Sequence, residues 1–185
     1  MNNFINKFSK EIDYIYKNEK YSIRDNGAIF RHYRIGKRKR KLDNQWTFGW
    51  TNKQTGYLEL AGSSIHRLVA YAFHGNPLTD DYVVHHIDGD RQNNKLENLK
   101  WISRLESILM DQIVLSIVIH FCGSIEVFKE NSLKLFADLV LYNFEHFSIS
   151  KEEAMLKLGH LKNWAFTNSE KAKAILKKYE NILGT

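Results

Sequence analysis

Apolar residues Phe4, Phe8, Ile12 and Ile15 recur at helical spacing and predict an amphipathic helix over residues 3–17. The pattern then changes. Tyr21-Ser-Ile-Arg, Ala28-Ile-Phe, Gln45-Trp-Thr-Phe-Gly-Trp and Tyr57-Leu-Glu-Leu are short aromatic or β-branched runs, parted by turn signals at Asp25-Asn-Gly, Asp43-Asn and Thr55-Gly. Small antiparallel hairpins follow from that alternation. From Ser64, placed as an N-cap, Ile65, Leu68, Val69, Ala72 and Phe73 share one helical face, and Gly75-Asn-Pro ends the helix.

Tyr82-Val-Val-His-His reads as a strand, residues 87–98 as a loop rich in Asp, Asn and Gly, and Leu99-Lys-Trp-Ile as a second strand. Ser103-Arg-Leu-Glu106 has the form of a capping box, so a helix opens there. Ser150-Lys-Glu-Glu153 and Thr167-Asn-Ser-Glu170 repeat that form, and residues 111–185 read as three or four helices. The organisation expected is an N-terminal helix (1–20), a mixed domain (21–110) and a helical C-terminal region (111–185).

At 185 residues, with 43% hydrophobic and 13% aromatic residues, the chain has material for a packed core. The single cysteine, Cys122, forms no intramolecular disulfide and excludes a thiolate zinc site; its apolar neighbours suit a small buried hydrophobe. Ile113-Val-Leu-Ser-Ile-Val-Ile is far shorter than the roughly 18–20 residues of a membrane span. The start of the chain lacks a signal-peptide core, and a cytoplasmic setting without membrane contact is expected.

The net charge of +6 is uneven: Arg31–Lys41 holds seven Lys/Arg among eleven residues. Such a block favours a polyanion, although a basic run alone equally describes a solvated loop. Adjacent strand residues face opposite ways, so His85 and His86 have different roles. Alone, a pair of neighbouring histidines is more often structural than chemical.

The stretch Val83-Val-His-His-Ile-Asp-Gly-Asp-Arg-Gln-Asn-Asn-Lys-Leu-Glu-Asn-Leu-Lys-Trp101 strongly resembles the HNH nuclease family. Ser64-Ile-His-Arg-Leu-Val-Ala-Tyr-Ala-Phe73 looks like the helix before the motif in phage and bacterial members, and Cys122-Gly-Ser-Ile-Glu-Val-Phe128 like a bacterial subgroup. The similarity spans about residues 21–128. It implies an α+β fold with a ββα-metal core at 82–110, bearing small N-terminal hairpins and a helical C-terminal region.

The resemblance also implies DNA phosphodiester hydrolysis, with RNA not excluded, in a bacterial or phage protein. Position by position, His86 matches the general base, His85 a metal ligand, Asn98 the residue bracing the loop, and Ser107 the helix position of the second ligand. The implied cofactor is one divalent ion, Mg²⁺ or Mn²⁺, with Ni²⁺ or Zn²⁺ favoured by an imidazole at 85. Ser107 departs from the family's Asn or His, and a serine hydroxyl is a weaker donor. Asp111, one turn further on, is the candidate to supply a carboxylate.

Asp88, Asp90, Asn93 and Asn94 read as turn formers, Trp101 as core and His66 as a packed helix histidine. Nucleic-acid contact is expected from Arg31–Lys41 (Arg34, Lys37, Arg38, Lys39, Arg40 and Lys41 in particular), Arg67, Arg91, Lys95, Lys100 and Arg104. Two functional readings stand: a metal-dependent endonuclease, or an HNH scaffold that binds nucleic acid or a partner with weakened catalysis. Ile113–Ile119 and Leu133–Phe147 carry apolar residues beyond one helix face, which suits internal packing, a homodimer or a partner subunit.

Overall fold

The structure, a computed structural model, describes residues 2–139 and 142–169. It is a mixed α+β chain in two compact units, Met1–Ser103 and Arg104–Thr185. Among the described residues no helix is long and apolar enough to cross a membrane.

In the first unit a short helix, α1 (Asn2–Ile5), precedes strands β1 (Glu11–Tyr16), β2 (Glu19–Arg24), β3 (Ile29–Arg31) and β4 (Trp46–Thr47), which pair antiparallel in sequence order. The expected 3–17 helix is therefore corrected to a hairpin. Tyr16 opposes Glu19, and the two-residue loop Lys17-Asn18 has positive φ at both positions, the type I′ geometry that matches strand twist. Asp25 accepts from the Ser9 and Lys10 amides, so the chain entering β1 is held extended against the next turn.

Strands β5 (Trp50–Thr51), β6 (Leu58–Leu60) and β7 (Ser63–Ser64) form a second antiparallel sheet. Helix α2 (Ile65–His74) follows where the apolar pattern predicts it, though the Ser64 side chain makes no capping bond; Gly75, at φ 76°, ends it. A third sheet pairs β8 (Tyr82–His86) with β9 (Leu99–Ser103), the two strands read from the sequence. Helix α2 packs against strands of all three sheets. Its Ile65, Leu68, Val69 and Ala70 close a core with Tyr21, Ile23, Ile29, Leu60, Val84 and Leu99. Trp101 is half-buried and packs against this core, its Nε1 donating to the Gly75 carbonyl.

The second unit comprises α3 (Arg104–Leu109), α4 (Gln112–Cys122), α5 (Ile125–Glu130), α6 (Ser132–Asp138), a 3₁₀ turn (Phe144–Phe147) and α7 (Lys151–Asn168). Ser150 caps α7 through the Glu153 amide. Thr167 does not open a helix: it lies in the last turn of α7, its hydroxyl donating to the Asn163 carbonyl, and the helix expected beyond it lies outside the described residues. Val114, Ile117, Val118, Leu135 and Leu139, part of the apolar excess in the sequence, are buried inside this unit. Cys122 is half-buried, and burial followed by the Asp138 charge raises its thiol pKa.

Candidate active site

Antiparallel pairing sets His85 opposite Lys100 and His86 opposite Leu99. Alternation then buries Val84 and His86 and leaves His85 on the other face, half-exposed. His86 retains 5% of its surface.

The loop between the strands is held by its own polar side chains. Asn98, buried, accepts from the Asp88 amide (3.0 Å) and donates to the Asp88 carboxylate and to the Asn93 carbonyl (both 2.8 Å). Asp88 Oδ1 also accepts from the Asp90 amide, and Asp90 Oδ1 from the Gln92 amide, two Asx turns in succession. The amides of Asn93 and Asn98, then the Asp90 N–H, hold the Asp88 carboxyl below its ordinary pKa. This loop leans on the first sheet, where the Leu96 amide donates to the Asp25 carbonyl (2.8 Å). Gly27, at φ 87°, lies against Asn94, and a Cβ there would stand 2.8 Å from the Asn94 carbonyl oxygen.

Asn94 is so placed that its Oδ1 accepts from His86 Nε2 at 2.9 Å. An amide oxygen only accepts, so in the neutral ring Nε2 carries the hydrogen and Nδ1 the lone pair. The sequence by itself makes Asn94 a turn former. The run of polar residues in 87–98 gives no way to tell which amide turns inward.

Two further rings complete the cluster. His66, from the first turn of α2, meets His86 edge-on at 5.2 Å and Tyr57 at 4.5 Å, and Tyr57 lies nearly parallel to His86 at 5.9 Å. Burial, followed by His86 and then Arg67, pushes the His66 pKa down to about 3, so His66 is neutral near pH 7. Arg91 lies over Tyr57 at 5.0 Å and donates to the Thr55 carbonyl at 2.7 Å. Sequence reasoning gives Tyr57 no part in the site, and only the three-dimensional meeting of the 52–57 turn with α2 and β8 reveals it.

The expected cations divide into two sets. Arg31 is buried and paired with buried Asp43 at 2.6 Å, so it is corrected from a nucleic-acid contact to a structural residue. Arg40 is exposed but paired with Glu19 at 2.8 Å. Arg34, Lys37, Arg38, Lys39 and Lys41 are exposed, and Arg34, Lys37, Arg38 and Arg40 border a cavity of about 210 Å³ whose other walls are Glu19 and Asp43. Arg67, Arg91, Lys95 and Lys100 are exposed in the first unit, and Arg104 is exposed on α3 of the second.

Among the described residues no three His, Cys, Asp or Glu side chains gather as a ready-made metal centre. The Asp88 carboxylate is engaged within its loop. Asp111 Oδ1 accepts from the Ile113 and Val114 amides at the start of α4, while Oδ2 pairs with Lys157 at 3.0 Å. Burial would raise the Asp111 pKa, but Lys157 and those amides hold it below the ordinary value. Ser107 lies on α3 in the second unit. Of the ligands implied by the resemblance, His85 is half-exposed on β8 in the first unit, while Ser107 and Asp111 belong to the second.

The strand, braced loop, strand and helix all lie in one stretch of chain. Residues 63–107 match the HNH endonuclease family model. This HNH segment takes in β7, α2, the β8–β9 hairpin and the beginning of α3. Among solved structures the chain is similar to the HNH homing endonuclease I-HmuI, in a structure of its DNA binding and cleavage. The identity is 25%, over 50% of this chain and 52% of that one, with a TM-score of 0.36. The chain thus spans about half the length of that protein. No curated protein matches the chain.

Proposed function

We propose that the HNH segment hydrolyses phosphodiester bonds of DNA, with His86 as general base. The observation that carries this reading is the His86 Nε2–Asn94 Oδ1 hydrogen bond, which reserves Nδ1 as the basic nitrogen. His86 Nδ1 takes a proton from water as the water oxygen bonds to phosphorus. The P–O3′ bond then breaks, the leaving O3′ takes a proton from solvent water, and the strand ends carry a 5′-phosphate and a 3′-hydroxyl. Asn94 holds the ring, and Asn98 holds the loop that carries Asn94. A divalent ion, when bound, would stabilise the charge on the phosphate.

We assign His85 as the protein donor to that ion. Ser107, matched by resemblance to a second donor, enters no step. Exposed Arg67, Arg91, Lys95 and Lys100 supply phosphate contacts near the hairpin, and the outward residues of the 34–41 run add affinity that falls with salt.

Ser107, standing where the resemblance expects Asn or His, favours a second reading, an HNH scaffold that binds nucleic acid or a partner without efficient turnover. A plasmid-cleavage assay in Mg²⁺, Mn²⁺, Ni²⁺ and Zn²⁺, with H86A as control, separates the two. Cleavage in any of these ions that is lost in H86A supports the nuclease. Binding without cutting in all four overturns it.

A further inference from the structure

One hydrogen bond does not fix a histidine ring. The torsion about Cβ–Cγ is broad for an imidazole, and Nε2 lies nearer that axis than Nδ1 does. A contact at Nε2 alone therefore controls poorly where Nδ1 points, although a base must hold its nitrogen within roughly 0.5 Å and 10–20° of the productive geometry. Something else must set the twist of His86.

Two rings from separate elements are in position to do so. His66 meets His86 with an interplanar angle of 66° and Tyr57 meets it at 27°, so one ring bounds the edge and the other the face. The two bounding rings also touch each other, at 4.5 Å. Packing alone does not account for a histidine at position 66. Among the described residues its Nδ1 is buried without a partner, a state that typically costs about 1–3 kcal/mol and that an aliphatic side chain would avoid. The partner amide is in the same condition, since Asn94 Nδ2 is also buried and unpaired among the described residues. Both orphaned polar atoms belong to residues that touch His86, which marks the place as built for more than filling space.

We propose that His66 and Tyr57 are positioning residues, holding the His86 ring at the twist that aims Nδ1 at the reacting water. Asn94 sets which nitrogen is free, and the two rings set where it points. Because Arg91 lies over Tyr57 and is tied to the Thr55 carbonyl, the same stack also holds an exposed guanidinium against Tyr57. The inference rests on His86 being the base, and its test has a readout that does not need cleavage.

In the full chain, labelled with ¹⁵N, the His86 ring is followed by NMR well above the histidine pKa range, alongside single-turnover DNA cleavage. The wild-type ring should give the separated nitrogen shifts of one tautomer with Nε2 protonated. H66A should bring the two shifts towards each other and broaden the ring protons. Its cleavage rate constant should fall roughly 10- to 100-fold, with DNA affinity within about twofold. H66F, which restores a ring, should recover the wild-type pattern and most of the rate, and Y57A should behave like H66A.

If H66A does not fold, H66F and Y57A decide by the same criteria. An H66A protein with unaltered His86 shifts and rate, or an H66F protein no better than H66A, overturns the proposal. Should the wild type cut no DNA in any ion, the proposed nuclease function fails, and the NMR comparison still decides whether these rings position His86.

Discussion

The Gly27→Ala substitution tests how far from the base the site is built. Gly27 sits in the turn between β2 and β3, at φ 87°, a backbone region that disfavours a side chain by roughly 1–2 kcal/mol. Its added Cβ would stand 2.8 Å from the carbonyl oxygen and 3.2 Å from the Cβ of Asn94, so the obstacle is mostly backbone that cannot swing aside. Overpacking of that kind adds about 1–3 kcal/mol, for a total of about 2–5 kcal/mol. Gly36 supplies the control, with φ 78° and nothing within 4 Å of the added carbon, so G36A should carry the backbone cost alone.

Urea unfolding read by the tryptophans of the first unit, Trp46, Trp50 and Trp101, gives both free energies. The difference between the variants isolates the collision with Asn94. In G27A the Asn94 amide is pushed away from His86, so the Nε2–H proton should lose its protection and cleavage should fall roughly 10- to 100-fold. A G27A protein no less stable than G36A, with the His86 nitrogen shifts of the wild type, would refute the argument that this turn props the base.

Three other substitutions probe separate parts of the molecule. D43A leaves the buried Arg31 guanidinium without its carboxylate and should destabilise the first unit by about 3–5 kcal/mol in urea unfolding. Burial alone would raise the Asp43 pKa, but the Arg40 N–H and Arg31 hold it below the ordinary carboxylate value. Its stabilisation is therefore complete above the unfolded pKa and lost as pH falls through the folded one, and D43N should flatten that acid limb. N98A removes three hydrogen bonds and should cost about 2–4 kcal/mol. N98D, which sets a second carboxylate against Asp88, should be worse at neutral pH and recover on acidification. The triple variant R34A/K37A/R38A should lower the slope of log affinity for DNA against log salt by about 0.9 for each phosphate left without its cation, with unfolding unchanged.

The β8–loop–β9 segment is legible in the sequence because several local signals agree there: the aromatic and β-branched run Tyr82-Val-Val, a dense Asx run, and a second short strand. Residues 3–17 mislead because four apolar positions at helical spacing outweigh Ile12, Tyr14, Ile15 and Tyr16, whose β-branched and aromatic side chains suit a strand. The tight Lys17-Asn18 loop has no glycine to announce it. Of the site, the two adjacent histidines stand out in the sequence. Asn94 and Tyr57 do not, because their roles arise from tertiary contacts across many residues. Charge clustering likewise cannot separate inward Arg31 from outward Arg34, since that depends on where Asp43 returns to meet the sheet.

The pairing of His86 with Leu99 has a consequence for how such chains can change. Residues gained or lost near Gly89 leave the facing of the two histidines unchanged, and their roles too where Asn94 still reaches His86. One residue inserted into β8 ahead of Val84 would exchange them, turning the buried imidazole outward and the solvent-facing one inward. A change of length at the hairpin's tip therefore leaves the facing of the stem residues intact, whereas the stem itself tolerates only changes that preserve parity.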